Sequence, residues 1–175
     1  MVLGVRFACL GIAALLLWML ACTQVHPRND YDNAADLVAK ATGQPSVYSP
    51  DKDQSVQPLV DEMLSEGLSA AEAVRIALLN SPTLQAAFYR IGMARADLVQ
   101  SGLFSNPSLA FSLQFPEGGG RSNLQANLAQ NIVDLWQIPV RKKVAEGILA
   151  ETIHSIAREG AQLAADAKAA YFAAV

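Results

Sequence analysis

The stretch Ser108-Leu109-Ala110-Phe111-Ser112-Leu113-Gln114-Phe115 alternates between small or polar residues and large apolar ones. A period of two marks a strand with two unlike faces. Leu109, Phe111, Leu113 and Phe115 share one face, and Ser108, Ala110, Ser112 and Gln114 share the other. The turn segment Pro116-Glu117-Gly118-Gly119-Gly120-Arg121 follows, and then a second alternation begins. Leu124, Ala126, Leu128 and Ile132 alternate with Asn123, Gln125, Asn127 and Asn131, with Gln130 out of step. Two such runs joined by glycines predict a β-hairpin with strands over 107–115 and 122–132. Strands of about 9–11 residues suit a tilted transmembrane strand. One face is apolar, and the other carries amides and hydroxyls without charge. This is the lipid-out, water-in pattern of an outer-membrane barrel. On that reading Leu109, Phe111, Leu113, Phe115, Leu124 and Leu128 face lipid. Ser112, Gln114, Asn123, Gln125 and Asn127 then face the water-filled lumen. A hairpin half-buried on a soluble core would show the same alternation, so the pattern leaves both readings open.

On both sides of the hairpin the period changes to that of a helix. Upstream, Ser69-Ala70-Ala71-Glu72 is a capping box, in which hydroxyl and carboxylate each satisfy an orphan amide. It predicts a helix over 69–79, broken at Asn80-Ser81-Pro82. Ser81 is a good N-cap and Pro82 a good first helical residue, so a second helix is expected over 82–101, with Gly102 as its stop. Leu84, Ala87, Phe88, Ile91, Ala94 and Leu98 form its apolar stripe. Downstream, Pro139 is expected to open a helix over 139–175. Its seam is Leu149, Ile153, Ile156, Gly160 and Leu163, continued by Ala167, Ala170 and Ala174 in the spacing of a coiled coil. The seam becomes small towards Val175, which permits close helix contact. Trp136, between hairpin and helix, suits either a membrane interface or a core position near the helix start. No stop signal precedes Val175, so the chain is expected to be part of a longer one.

The N-terminus reads as an export signal. Residues 1–21 are apolar apart from Arg6, and the run 7–21 has the length of a signal-peptide core rather than a membrane span. Met19-Leu20-Ala21-Cys22 resembles a bacterial lipoprotein box, with Cys22 as the acylated first residue of the mature chain. An ordinary signal peptide or an uncleaved anchor are the alternatives. Cleavage before Cys22 would remove Cys9 with the signal and leave no thiol to oxidise in an oxidising compartment. Residues 22–67 hold Pro27, Pro45, Pro50 and Pro58 among many Asp, Asn, Gln and Ser. No period persists there. Apart from a short helix within 33–41, the segment reads as a polar tether, either lying along the folded body or flexible.

The bulk composition removes several function classes. Of the 175 residues, 52% are hydrophobic and 7% aromatic, and the formal net charge is -3. An Ala-rich, aromatic-poor chain favours closely packed helices. The charge balance argues against nucleic acid as a partner. Two Cys exclude a disulfide scaffold or a Cys-rich zinc module. His26 and His154 have no ligand-spaced partners, so no metal and no cofactor are expected. No nucleophile–base set or carboxylate pair stands out, so no catalytic residues are expected and the chain is read as a non-enzyme. Gly118-Gly119-Gly120 precedes a strand, which makes it a turn rather than a phosphate cradle.

In order along the chain, several segments resemble the TolC outer-membrane efflux family. They are residues 68–78 followed by Asn80-Ser81-Pro82-Thr83-Leu84, then Ala94-Arg95-Ala96-Asp97-Leu98, Asn106-Pro107-Ser108-Leu109, Pro139-Val140-Arg141-Lys142-Lys143 and Ala170-Tyr171-Phe172. The resemblance covers residues 68–175. It implies a mainly α fold with a transmembrane β-hairpin, in which long antiparallel helices flank two strands. That unit would be part of the first of two repeats in a trimeric β-barrel with an α-helical tunnel. It also implies a homotrimer in outer-membrane lipid, lipid-anchored and with helices in the periplasm. The assembly would work with a periplasmic adaptor and an inner-membrane pump as a passive conduit for drugs, metal ions or other solutes. The alternative function is a periplasmic helical adaptor or structural lipoprotein that crosses no membrane.

Overall fold

A computed structural model of the chain describes residues 24–45, 47–51, 56–65 and 67–175. Cys22 and the export signal lie outside them. The described chain is mainly helical with one two-stranded antiparallel sheet. In chain order the elements are α1 (Arg28–Thr42), α2 (Val56–Ser65), α3 (Ala70–Asn80), α4 (Pro82–Ser101), β1 (Ser108–Gln114), β2 (Asn123–Ala129) and α5 (Asp134–Ala174).

Local chemistry fixes where the middle helices begin. The Ser69 hydroxyl accepts from the Glu72 amide at 3.3 Å, and the Ser69 amide donates to the Glu72 carboxylate at 2.8 Å. The Ser69 hydroxyl, and then the Ser69 amide, hold the Glu72 carboxyl below its usual range. One residue after α3, the Ser81 hydroxyl accepts from the Leu84 amide and starts α4 on Pro82. Gly102 ends α4 in a right-handed conformation, so its stop does not use the left-handed freedom of glycine.

Against α5, 41 residues and roughly 60 Å long, α1, α3 and α4 all pack. Helices α4 and α5 run antiparallel. Arg90 pairs with Glu159, Leu98 lies beside Leu149 and Ile153, and Ser105 meets Asp134, so partners descend α5 as α4 ascends. Their seam buries Leu84, Phe88, Ile91 and Leu98 against Ala145, Leu149, Ile153 and Ile156. Each large aliphatic side chain so buried is worth about 1.5–3 kcal/mol relative to exposure.

Four expectations require correction. The segment 22–67 is not a polar tether throughout: α1 and α2 lie within it, and α1 is longer than the short helix expected over 33–41. Its polar composition hides a narrow apolar stripe of Tyr31, Ala34 and Val38, which is buried in the main core. The last helix begins at Asp134, not at Pro139. Pro139 stands inside the helix, five residues after Asp134, where the N–H it lacks is the one that would have bonded the Leu135 carbonyl. In the seam, Leu163 is only partly buried, and Ala164 takes the buried place beyond Gly160. A straight helix repeats every 3.6 residues rather than 3.5, so a strict heptad reading drifts. Ala170 and Ala174, at the end of the same expected row, are exposed.

Candidate membrane hairpin and its base

The hairpin register pairs Leu109 with Leu128, Phe111 with Ala126 and Leu113 with Leu124 on one face. The other face pairs Ala110 with Asn127, Ser112 with Gln125 and Gln114 with Asn123. The two alternations are therefore in phase: one face of the hairpin is apolar, and the other carries amides and hydroxyls. Pairing spans seven residues in each strand, short of the 107–115 and 122–132 expected. Pro107 and Pro116 bracket β1, and proline has no N–H to give a ladder. On the β2 side, Gln130 leaves the alternation and its side chain donates to the Ser105 carbonyl at 2.9 Å. At the tip Gly118, Gly119 and Gly120 have φ of 104°, 89° and 140°, a region that a Cβ disfavours.

Neither strand is covered. Every residue from 103 to 133 is exposed, Phe111 at 66%. A half-buried hairpin would have put the Leu/Phe row on the helices, and this one does not. Leu103, Phe104, Leu135 and Trp136, next to the hairpin in the chain, are exposed as well. Trp136 is 69% exposed, so it is not a core residue near the helix start.

At the hairpin base stands a residue with no sequence signal of its own. Asp134, 1% exposed, accepts from the Ser105 amide at 2.7 Å and from the Arg141 guanidinium at 3.0 Å. The Ser105 amide, and then Arg141, hold its carboxyl below the usual carboxylate range against the opposing effect of burial. One side chain thereby ties the chain entering β1 to the helix leaving β2. Asn131 adds a local turn by accepting from the Val133 amide at 3.0 Å. A buried carboxylate can be found from sequence only as an Asp in a helix's first turn with Arg seven residues on, a pattern too common to single out.

The expected seam residues Leu149, Ile153, Ile156 and Gly160 are brought together, but their neighbours include α1. A Cβ built on Gly160 would lie 2.6 Å from Cγ1 of Val38, and one on Gly92 would lie 2.8 Å from the Tyr31 hydroxyl. Both glycines stand inside helices, where glycine costs about 1 kcal/mol relative to alanine. They make room for α1. Arg95 completes the contact with two hydrogen bonds to the Asp30 carboxylate, one of them 2.6 Å.

Among the described residues no group of His, Cys, Asp or Glu is placed to hold a metal ion, and no helix is long and apolar enough to cross a membrane. The latter says nothing of β-strands. Comparison with protein-family profiles, curated proteins and solved structures finds no match to this chain.

Proposed function

We propose that this chain supplies a membrane-embedded hairpin and part of the periplasmic helical wall of an outer-membrane efflux channel. The channel is a homotrimer of the TolC type, anchored in addition through acylated Cys22. It acts as a passive conduit that receives drugs, metal ions or other solutes from an inner-membrane pump and its adaptor. The observation that carries this reading is the hairpin: two faces in register, one wholly apolar, and no residue of either strand covered by protein. A strand pair that meets only water does not need the Leu/Phe row, and an adaptor working in the periplasm has no lipid to offer it. The polar face, uncharged and rich in amides, suits the water-filled side of a barrel. Two strands leave open edges, and each unpaired backbone group in lipid costs several kcal/mol, so the barrel must be closed by strands from further segments or copies.

The test places single cysteines at Ser112, Asn127, Phe111 and Leu113 in the chain as expressed in a Gram-negative host. A membrane-impermeant, water-soluble thiol reagent is then applied to purified outer membranes. Ser112→Cys and Asn127→Cys should react, and Phe111→Cys and Leu113→Cys should not. Equal reaction at all four positions would sink the membrane reading and leave a soluble helical lipoprotein.

A further inference from the structure

We infer that residues 47–51 form a clasp over the break between α3 and α4, and that this clasp opens by itself, ahead of the bundle, leaving the break free to bend. The two helices are separated by Ser81 alone, whose φ of -71° and ψ of 117° are extended. Pro82 follows, and the amide it lacks is the one that a continuous helix would donate to the Leu78 carbonyl. Leu78 is wholly buried, so water does not reach that carbonyl. The Tyr48 amide takes the place of the missing one and donates to it at 3.3 Å. The Tyr48 ring then stands edge-on to Phe88, just past the break, with ring centroids 5.9 Å apart. A segment that belongs to neither helix thereby bridges the last turn of α3 and the second turn of α4.

The clasp is lightly held, whereas α1 before it is firmly held. Tyr31 seated on Gly92, Val38 seated on Gly160 and the Asp30–Arg95 ion pair lock α1 to α4 and α5. The bond from Tyr48 to Leu78 lies beyond the usual N–H···O range. The Tyr48 and Tyr89 hydroxyls meet at 3.3 Å on the open surface. Asp51 meets Arg28 at 3.5 Å where solvent screens the pair, and such a pair adds little. Between these contacts Ser49 is 2% exposed, and its hydroxyl has no hydrogen-bond partner among the described residues. A buried hydroxyl left unpaired works against the closed state, and opening returns it to water. The same opening admits water to the Leu78 carbonyl, so no polar group is stranded by it. Segments with so little to hold them open locally while the core stays intact. With the clasp open, the break is left with Ser81 as a one-residue hinge. The inference stands apart from the outer-membrane reading, because every group in it lies in the helical part of the chain.

Amide hydrogen exchange, read residue by residue on the full chain purified in detergent, tests this. The Tyr48 amide should exchange about tenfold or more faster than the amides of Val38 in α1 and Ile91 in α4. Ser49→Ala removes the unpaired hydroxyl, so it should slow the Tyr48 amide by about fivefold or more. The Ser81 amide, which bonds the Ala77 carbonyl across the break, should slow with it, and Val38 and Ile91 should not change. Tyr48→Ala removes the ring that seats on Phe88, and the amides at 48 and 81 should both exchange faster while Val38 keeps its rate. Ser49→Ala deletes one oxygen and decides the matter even where Tyr48→Ala fails to fold. A Tyr48 amide exchanging at the rate of Val38 would show that the clasp opens only with the bundle. Equal or faster exchange at Tyr48 in Ser49→Ala would show that the unpaired hydroxyl does not drive opening. A Ser81 amide indifferent to Ser49→Ala would separate the clasp from the break. Any of the three overturns the inference, and none of them bears on the thiol-labelling test of the hairpin.

Discussion

At Asp134 a single carboxylate joins the bundle to the hairpin, and its ionisation makes that joint sensitive to acid. Its pKa is lowered in the folded state, by the Ser105 amide first and Arg141 after it. A carboxyl with a depressed folded pKa contributes stability that is fully present above the ordinary value of about 4 and is lost as pH falls through the folded value. Acidification below about pH 4 should therefore loosen residues 103–107 and 130–133 before the bundle melts. Limited proteolysis across a pH series reads this directly. Asp134→Asn should be nicked there already at neutral pH and lose the acid dependence, and an unchanged pH profile in that variant would assign the joint to other groups. Gly160 poses a second test at this scale. An added methyl meets Val38 inside the core, so Gly160→Ala should destabilise by about 1–3 kcal/mol through overpacking. Val38→Ala removes the two methyls that collide. The double variant should melt higher than the sum of the single effects requires, with helical circular dichroism as the readout. Strict additivity would mean that α1 does not seat on Gly160.

The hairpin is the element whose two faces should respond most differently to the same change. Leu113 and Ser112 are adjacent, equally uncovered, and on opposite faces. If the apolar face meets lipid as proposed, arginine near its middle costs about 2–4 kcal/mol, and much less on the opposite face. Leu113→Arg should therefore lower the amount of chain recovered in heat-modifiable, membrane-inserted form, and Ser112→Arg should leave it nearly unchanged. Equal losses would show that the two faces meet the same solvent. The same element explains what the sequence makes legible. A period of two with Gly-Gly-Gly between the runs has few competing structures, and the caps at Ser69 and Ser81 each have a local partner within three residues. Those signals need no tertiary information. Helix α1 needs it: Tyr31, Ala34 and Val38 are three apolar residues in a polar segment, and they become a core face only because Gly92 and Gly160, far along the chain, leave space for them. Asp134 was hidden for the same reason, since its partner Ser105 lies 29 residues away across the hairpin. Pro139 points to a helix start because proline favours the first helical position, whereas here it stands five residues inside a helix that Asp134 begins.

At the scale of the whole molecule, the described residues leave many large apolar side chains exposed. Beside the hairpin, Trp136, Val140, Val144 and Ile148 form an exposed i, i+4 row along α5, and Tyr89 and Met93 are exposed on α4. A contiguous patch beyond a few hundred Å2 marks an interface. An isolated two-stranded hairpin is marginal even before its unpaired edges are considered. On the channel reading proposed above, association would serve hairpin and row together: side-by-side copies would pair hairpin edges in the membrane while covering the α5 row beneath it. The two events should therefore be coupled. Val144 is the position to probe, because at 59% exposure it contributes little to the bundle of its own chain. Val144→Glu should leave the helical signal and the export of the chain intact and reduce crosslinked oligomer in outer membranes. A charge placed in an apolar contact between copies loses water without gaining a partner. It should also raise the nicking of β1 and β2 by added protease, since hairpins without neighbours have open edges. Crosslinking of the unaltered chain should stop at three copies if the interface closes on itself as a ring. A ladder running past three, or a Val144→Glu chain that crosslinks as well as the original, would place the interface elsewhere and separate the α5 row from closure of the barrel.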